Sequence, residues 1–243
     1  MNKGFELKNL NRGFFKEDYE SYIDIGRNTF EQYKRTIDET LNSFKTTNGS
    51  LDGDKMQSSW FPVIEADIFL SHSHEDRDLV VALAGWLKNK FGLSVFIDSC
   101  IWEYYKKLQV LLDKEYSKTK EAFSYDKVLY AASHVNMMLN TALMQMIDNC
   151  EFVIFVNTPN SVKPGDVVKN VVSPWIYSEL AMTKLIRKSE KKLLESTESF
   201  SDLSVRYNLN TDHLTQLNLL YLNTRIPIKE MNRSEFISYL NKL

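Results

Sequence analysis

The chain is poor in the residues that announce the commonest chemistries. Its 243 residues include only two cysteines, Cys100 and Cys150, with no CxxC spacing. That excludes a disulfide framework and fits a reducing compartment. Glycine is scarce at eight residues, and neither GxxxxGK[ST] nor GxGxxG occurs. A P-loop or Rossmann phosphate cradle is therefore not expected. No apolar run reaches spanning length, and the opening "MNKGFELKNLNRGFF" has no signal-peptide apolar core. The expected location is cytoplasmic, with no membrane partner. An excess of one charge is missing too: the net is −2 and the pI about 6.1. The one basic cluster, "KLIRKSEKK" (184–192), falls at a helix end, where cations suit the macrodipole. No nucleic-acid partner is expected.

What is present is ordinary globular composition, 43% hydrophobic and 26% charged, enough for one core plus an attachment. Residues 14–46 read as helix. Tyr19, Ile23, Phe30, Tyr33, Ile37, Leu41 and Phe44 recur at three to four residues, with Gly26 placed to break the run. "TTNGSLDGD" (46–54) is turn and linker chemistry. An N-terminal helical extension and linker over 1–62 is expected. It either covers the next domain or offers a self-association surface.

From residue 66 the texture changes. "ADIFLS" (66–71), "LSVFID" (93–98) and "EFVIFVNTP" (151–159) are short apolar runs of the buried parallel-strand kind. Amphipathic helices are expected at 75–92, with Asp76 and Asp78 in the first turn and Gly92 at the stop, and at 173–189. Alternating strands and helices give an α/β fold with a parallel sheet, and ligands bind at the carboxyl ends of such strands. Those ends carry Ser71, His72, Asp98 and Asn157 to Pro159. The stretch from strand two to strand three is longer than one crossover needs. It holds helical patterns at 104–123 and 134–149, read as a crossover plus a helical insertion over about 103–133. Two weaker strands, 203–209 and 214–222, and a capped helix, 232–243, complete the reading.

Two sites stand out chemically. "SHSHED" (71–76) offers His72 and His74, which form either half of a metal site or a hydrogen-bonding capping loop. No metal is expected, because His134 and His213 are the only other histidines. "SPWIYSEL" (173–180) starts a helix with Ser173 as cap and Pro174 in the first turn. Trp175 and Glu179 lie four apart on one face. The positions three and four from Glu179 hold Ile176, Trp175, Met182 and Thr183, so no helical salt bridge accounts for it. It is either a solvated carboxylate or one kept available for a substrate that becomes cationic.

The order "DIFLSHSHED", "GLSVFID", "FVIFVNTP", "SPWIYSEL" resembles the TIR (Toll/interleukin-1 receptor) domain, closest to its bacterial branch. The resemblance covers about 66–190 well and implies a TIR domain over 63–243. It implies a flavodoxin-like fold, with about five parallel strands and helices on both faces. It further implies an NAD+ nucleosidase or cyclase that cleaves the nicotinamide–ribose bond. Glu179 would be catalytic, and Ser71, His72, Asp98, Thr158 and Trp175 would border the nucleotide. NAD+ is then a substrate and no cofactor is needed. Self-association through TIR surfaces is implied, as is a downstream effector of the kind found in anti-phage systems such as Thoeris. "SCIWEYYKKL" (99–108) replaces the family's usual short glycine-containing loop. A non-enzymatic TIR scaffold and a nucleoside-processing transferase remain as alternatives.

Overall fold

The structure, a computed structural model, describes residues 3–33, 40–102, 105–118, 122–161, 170–171, 174–186, 207–208, 211–219 and 231–243. Its elements run in the order β1 (Lys3–Lys8), α1 (Tyr19–Glu31), α2 (Gly53–Trp60), β2 (Ile68–Ser71), α3 (Arg77–Phe91), β3 (Val95–Phe96), α4 (Asp98–Ile101), α5 (Tyr105–Leu112), α6 (Tyr125–Asn149), β4 (Phe152–Asn157), β5 (Asn170–Val171), α7 (Pro174–Ile186), β6 (Tyr207–Asn208), β7 (Thr215–Leu217) and α8 (Arg233–Lys242). The fold is α/β. Five strands form one all-parallel sheet in the order β3-β2-β4-β1-β7. β2, β3 and β4 keep a flavodoxin-like arrangement, with the second of them outermost.

The fourth place in the sheet corrects the sequence reading. Residues 1–62 are not a helical extension throughout: Lys3–Lys8 is a strand between β4 and β7, while α1 and α2 are helical. Phe5 and Leu7 project to one face and are fully buried. Glu6 projects to the other face at 1% exposure and is bonded on every side. Its carboxylate accepts from Asn157 Nδ2 at 2.6 Å and from Gln216 Nε2. Lys8 Nζ lies 3.1 Å away. The network ties β1 to both neighbouring strands in one register; a slip of one residue would bring the Phe5 and Leu7 face around in its place.

The chain divides into two compact units. The first comprises Met1–Thr29, Glu65–Ile97 and Ile147–Leu243 and contains the sheet. Within it α1 crosses α3 unusually closely, through two glycines. A Cβ on Gly26 would stand 2.3 Å from the Val81 carbonyl oxygen, and one on Gly85 1.9 Å from that of Tyr22. Gly26 therefore does not break the helix, as its sequence suggests; it lets two backbones touch. α3 stops at Gly92, whose φ of 65° is left-handed, as expected of a glycine C-cap. α8 starts with a capping box between Asn232 and Glu235, and its Phe236 stacks on Phe91 with ring centroids 4.1 Å apart.

The second unit comprises Phe30–Ile64 and Asp98–Met146. Phe61 and Trp102 pack edge to face at 5.8 Å, and Trp102 Nε1 donates to the Pro62 carbonyl. The helix read over 14–46 stops at Glu31, and Leu41–Phe44 forms a separate 3-10 turn. Ile37 lies outside the described residues. The segment read as an insertion, about 103–133, is α5, a π turn (Asp113–Ser117) and the start of α6. α6 runs on unbroken to Asn149, so the insertion and the expected crossover helix share one helix. Cys100 and Cys150 are buried and form no disulfide. Among the described residues, no helix is long and apolar enough to cross a membrane.

Candidate functional site

In an all-parallel sheet every carboxyl end lies on one edge. After β2 the chain passes through α3 to β3 on one side. After β4 it continues towards β7 on the other side. The connections therefore diverge between two neighbouring strands, the arrangement that opens a binding crevice. An open cleft of about 560 Å³ lies there, bordered by the segments that follow β1, β2 and β4. Leu10 to Arg12 come from the first, His74 to Leu79 from the second and Thr158 to Asn160 from the third, with Tyr19 beside them.

One wall of the cleft is braced by Asp76. Its carboxylate accepts from Thr158 Oγ1 at 2.5 Å and from Asn160 Nδ2 at 2.8 Å. Thr158 N donates in turn to Ser161 Oγ at 2.8 Å. Asp76 precedes α3 yet makes no side-chain cap bond to it; its acceptors are turned across the cleft instead. Thr158 lines the cleft, with its hydroxyl committed to Asp76.

Ser71 and Glu179 come together 108 residues apart in sequence. Ser71 Oγ donates to Glu179 Oε2 at 2.5 Å, and the residues are 1% and 3% exposed. Ser71 ends β2 and stands in register with Phe155, Glu6 and Gln216, so these four project from one face. α7 lies over that face: Phe155 packs with Ile176, Leu180 and Leu214. Ile176, Glu179, Leu180 and Thr183 are the buried side of α7, at the three-to-four spacing of a helix face. Glu179 is thus not the solvated carboxylate of the simpler reading. Trp175 stands one turn before it and is half-buried.

His72 is 7% exposed, with Nδ1 3.4 Å from the Leu70 carbonyl and its ring edge-on to His74 at 6.2 Å. Among the described residues no three His, Cys, Asp or Glu side chains gather as a metal site would require. Asp98 opens α4, in the second compact unit. Ser173, the expected cap of α7, lies outside the described residues.

Three residues of this edge escaped the sequence reading. Glu6 sits in "GFELK", whose alternation is a strand signal, although brief and masked by the adjoining helical pattern. Arg12 carries no local signal, and Tyr19 signals only a helical stripe, since only the fold of the chain brings them to the cleft. No family model, curated protein or solved structure matches this chain.

Proposed function

We propose that the protein is an NAD+ nucleosidase or cyclase with Glu179 as its central catalytic group. The observation that carries this reading is the meeting of Ser71 and Glu179. Two boxes of the TIR resemblance, far apart in sequence, share a hydrogen bond at the carboxyl edge of a parallel sheet. The chemistry needs only one carboxylate. Ordinary glycosidases use a second as an acid, because an alkoxide leaves poorly. The bond broken joins the ribose to a cationic pyridinium nitrogen, so nicotinamide departs as a neutral molecule and no acid is required. Glu179 holds the ribose hydroxyls in place of the Ser71 hydroxyl and stabilises the oxocarbenium-like transition state electrostatically. Trp175, one turn away, shapes the wall beside the leaving ring. Water as acceptor gives ADP-ribose; an acceptor group within the nucleotide gives a cyclic isomer. Self-association and an effector that senses the product complete a role in anti-phage defence.

The test is incubation of the full chain with NAD+, resolved by chromatography and mass spectrometry. Nicotinamide release by the wild type and its loss in Glu179→Gln are expected. Equal turnover by the two proteins sinks the proposal. The burial of Glu179, at 3% exposure, favours a second reading, a TIR-like scaffold that does no chemistry. Under it Glu179→Gln changes stability or assembly only, and no nicotinamide appears in either sample.

A further inference from the structure

Arg12 is the least explained group on the cleft. Its guanidinium carbon lies 4.8 Å from the Tyr19 ring centroid, a cation–π seat. It makes no ion pair among the described residues. The seat itself is firm. Tyr19 is 7% exposed and packs on Phe15, Phe15 on Phe14, and Phe14 on Trp86 of α3, with ring centroids 5.5, 4.9 and 5.1 Å apart. The loop that delivers Arg12 is folded as well. Asn9 has a φ of 60°, which asparagine tolerates, and Asn11 Nδ2 donates to the Asn9 carbonyl at 3.2 Å. The turn after β1 thus brings an exposed guanidinium to the edge where ligands of such sheets bind.

The acids around it are mostly occupied. Asp76 is bonded to Thr158 and Asn160, and Asp78 lies 3.4 Å from Arg27. Glu75 remains as a lining carboxylate. The lining holds two guanidinium groups, Arg12 and Arg77, beside its carboxylates, and this mixture disfavours a bare anion. It suits a ligand that carries both a phosphate for the fork and sugar hydroxyls for the acid. The volume, about 560 Å³, is that of a small-molecule site.

We propose that Arg12, seated on Tyr19, binds the diphosphate of a nucleotide in this cleft, so that the turn after the N-terminal strand supplies the phosphate contact. This rests on the dinucleotide reading above for the identity of the ligand. It makes the substrate class a nucleoside diphosphate derivative and not a free nucleoside.

The experiment is calorimetric titration of the full chain with ADP, adenosine and inorganic phosphate. Wild type, Arg12→Gln, Arg12→Lys and Glu179→Gln are compared. In the wild type ADP is expected to bind about tenfold or more tightly than adenosine, from charge-assisted contacts. Arg12→Gln removes that gap and leaves adenosine unchanged, while Arg12→Lys keeps part of it. Added salt weakens ADP but not adenosine, a readout that needs no variant to fold. ADP binding no better than adenosine in the wild type overturns the proposal, as does a full gap in Arg12→Gln. The two readings also fail separately. If no protein cleaves NAD+ but ADP binding depends on Arg12, the anchor stands and the cleavage reading falls. If the wild type cleaves NAD+ and Arg12→Gln leaves KM unchanged, the anchor falls alone.

Discussion

Two buried carboxylates stand on the same face of the sheet, on either side of Phe155, and they are treated differently. Glu6 is set within β1 and met by two side-chain amides and the Lys8 ammonium. Glu179 is brought in from α7 and meets the hydroxyl of Ser71. Ser71 and Glu6 are two strands apart, about 10 Å at ordinary strand spacing. Amides from the two adjacent strands and an ammonium from the same strand form a fixed polar brace, and such a brace specifies register. A hydroxyl partner can be exchanged for a sugar hydroxyl with little loss, because the two make the same kind of bond. Under the proposed function the difference separates a carboxylate that holds the fold from one suited to chemistry, although both are almost fully buried. Burial alone therefore does not rank candidate residues here; the nature of the partners does.

The largest expected effect tests the chemical half of the contrast. Glu179→Gln is expected to lower NAD+ turnover by about a thousandfold, as loss of a main electrostatic stabiliser does. Its stability, measured by urea unfolding, should stay within about 1 kcal/mol of wild type, because the amide oxygen still accepts from Ser71. Next in size is Glu6→Ala. It leaves the Asn157 and Gln216 amides and the Lys8 ammonium without their shared acceptor, and a loss of about 3 kcal/mol is expected by the same measurement. Were Glu179→Gln to cost as much stability as Glu6→Ala, the contrast would collapse and Glu179 would be structural. Ser71→Ala sharpens the comparison at a smaller scale. It should cost about 1 kcal/mol of stability and change turnover by less than about threefold, since the ribose takes the place of the hydroxyl on the carboxylate.

The smallest effect concerns a third buried ionisable group, one that meets a nearby charge of unfavourable sign. Burial, reinforced by the Asp67 carboxylate, pushes the Cys150 thiol from 9.0 up to about 12. The folded thiol keeps its proton to about pH 12, whereas the unfolded one loses it near pH 9. The unfolded state thus gains by ionising as pH rises, and stability falls across that window. A loss of about 1 kcal/mol by pH 10 is expected, and Cys150→Ala should flatten this part of the pH dependence. An equal slope in the variant would assign the alkaline loss to other groups.

Legibility in the sequence followed the range of the interactions. β2, β4, α3 and α7 were readable because each is a continuous apolar pattern with its own start and stop, such as Gly92 at the end of α3. The two bordering residues of the proposed catalytic pair, Ser71 and Glu179, were reachable from the same segments. β3 proved shorter than its apolar run, since Asp98 already begins a helical turn. β1 was missed for a specific reason. A strand buried on both faces is expected to be apolar throughout, and Glu6 breaks that rule with partners from β4 and β7. Gly26 was misread for a related one, since its role depends on the backbone of α3 and not on its neighbours in sequence.

By itself the sequence determined the class of fold, because periodicity and turn chemistry are local properties of a chain. It also determined which carboxylate lacks a helical salt bridge, because that depends on positions three and four residues away. The tertiary structure alone decided which strand lies fourth in the sheet. It decided as well that Asp76 braces the cleft while Ser71 holds Glu179, and that Arg12 reaches the same edge. Those outcomes depend on groups up to 210 residues apart, as for Gln216 and Glu6. Hydrogen bonds and close backbone approaches are short-ranged in space, and only the folded chain makes such residues neighbours.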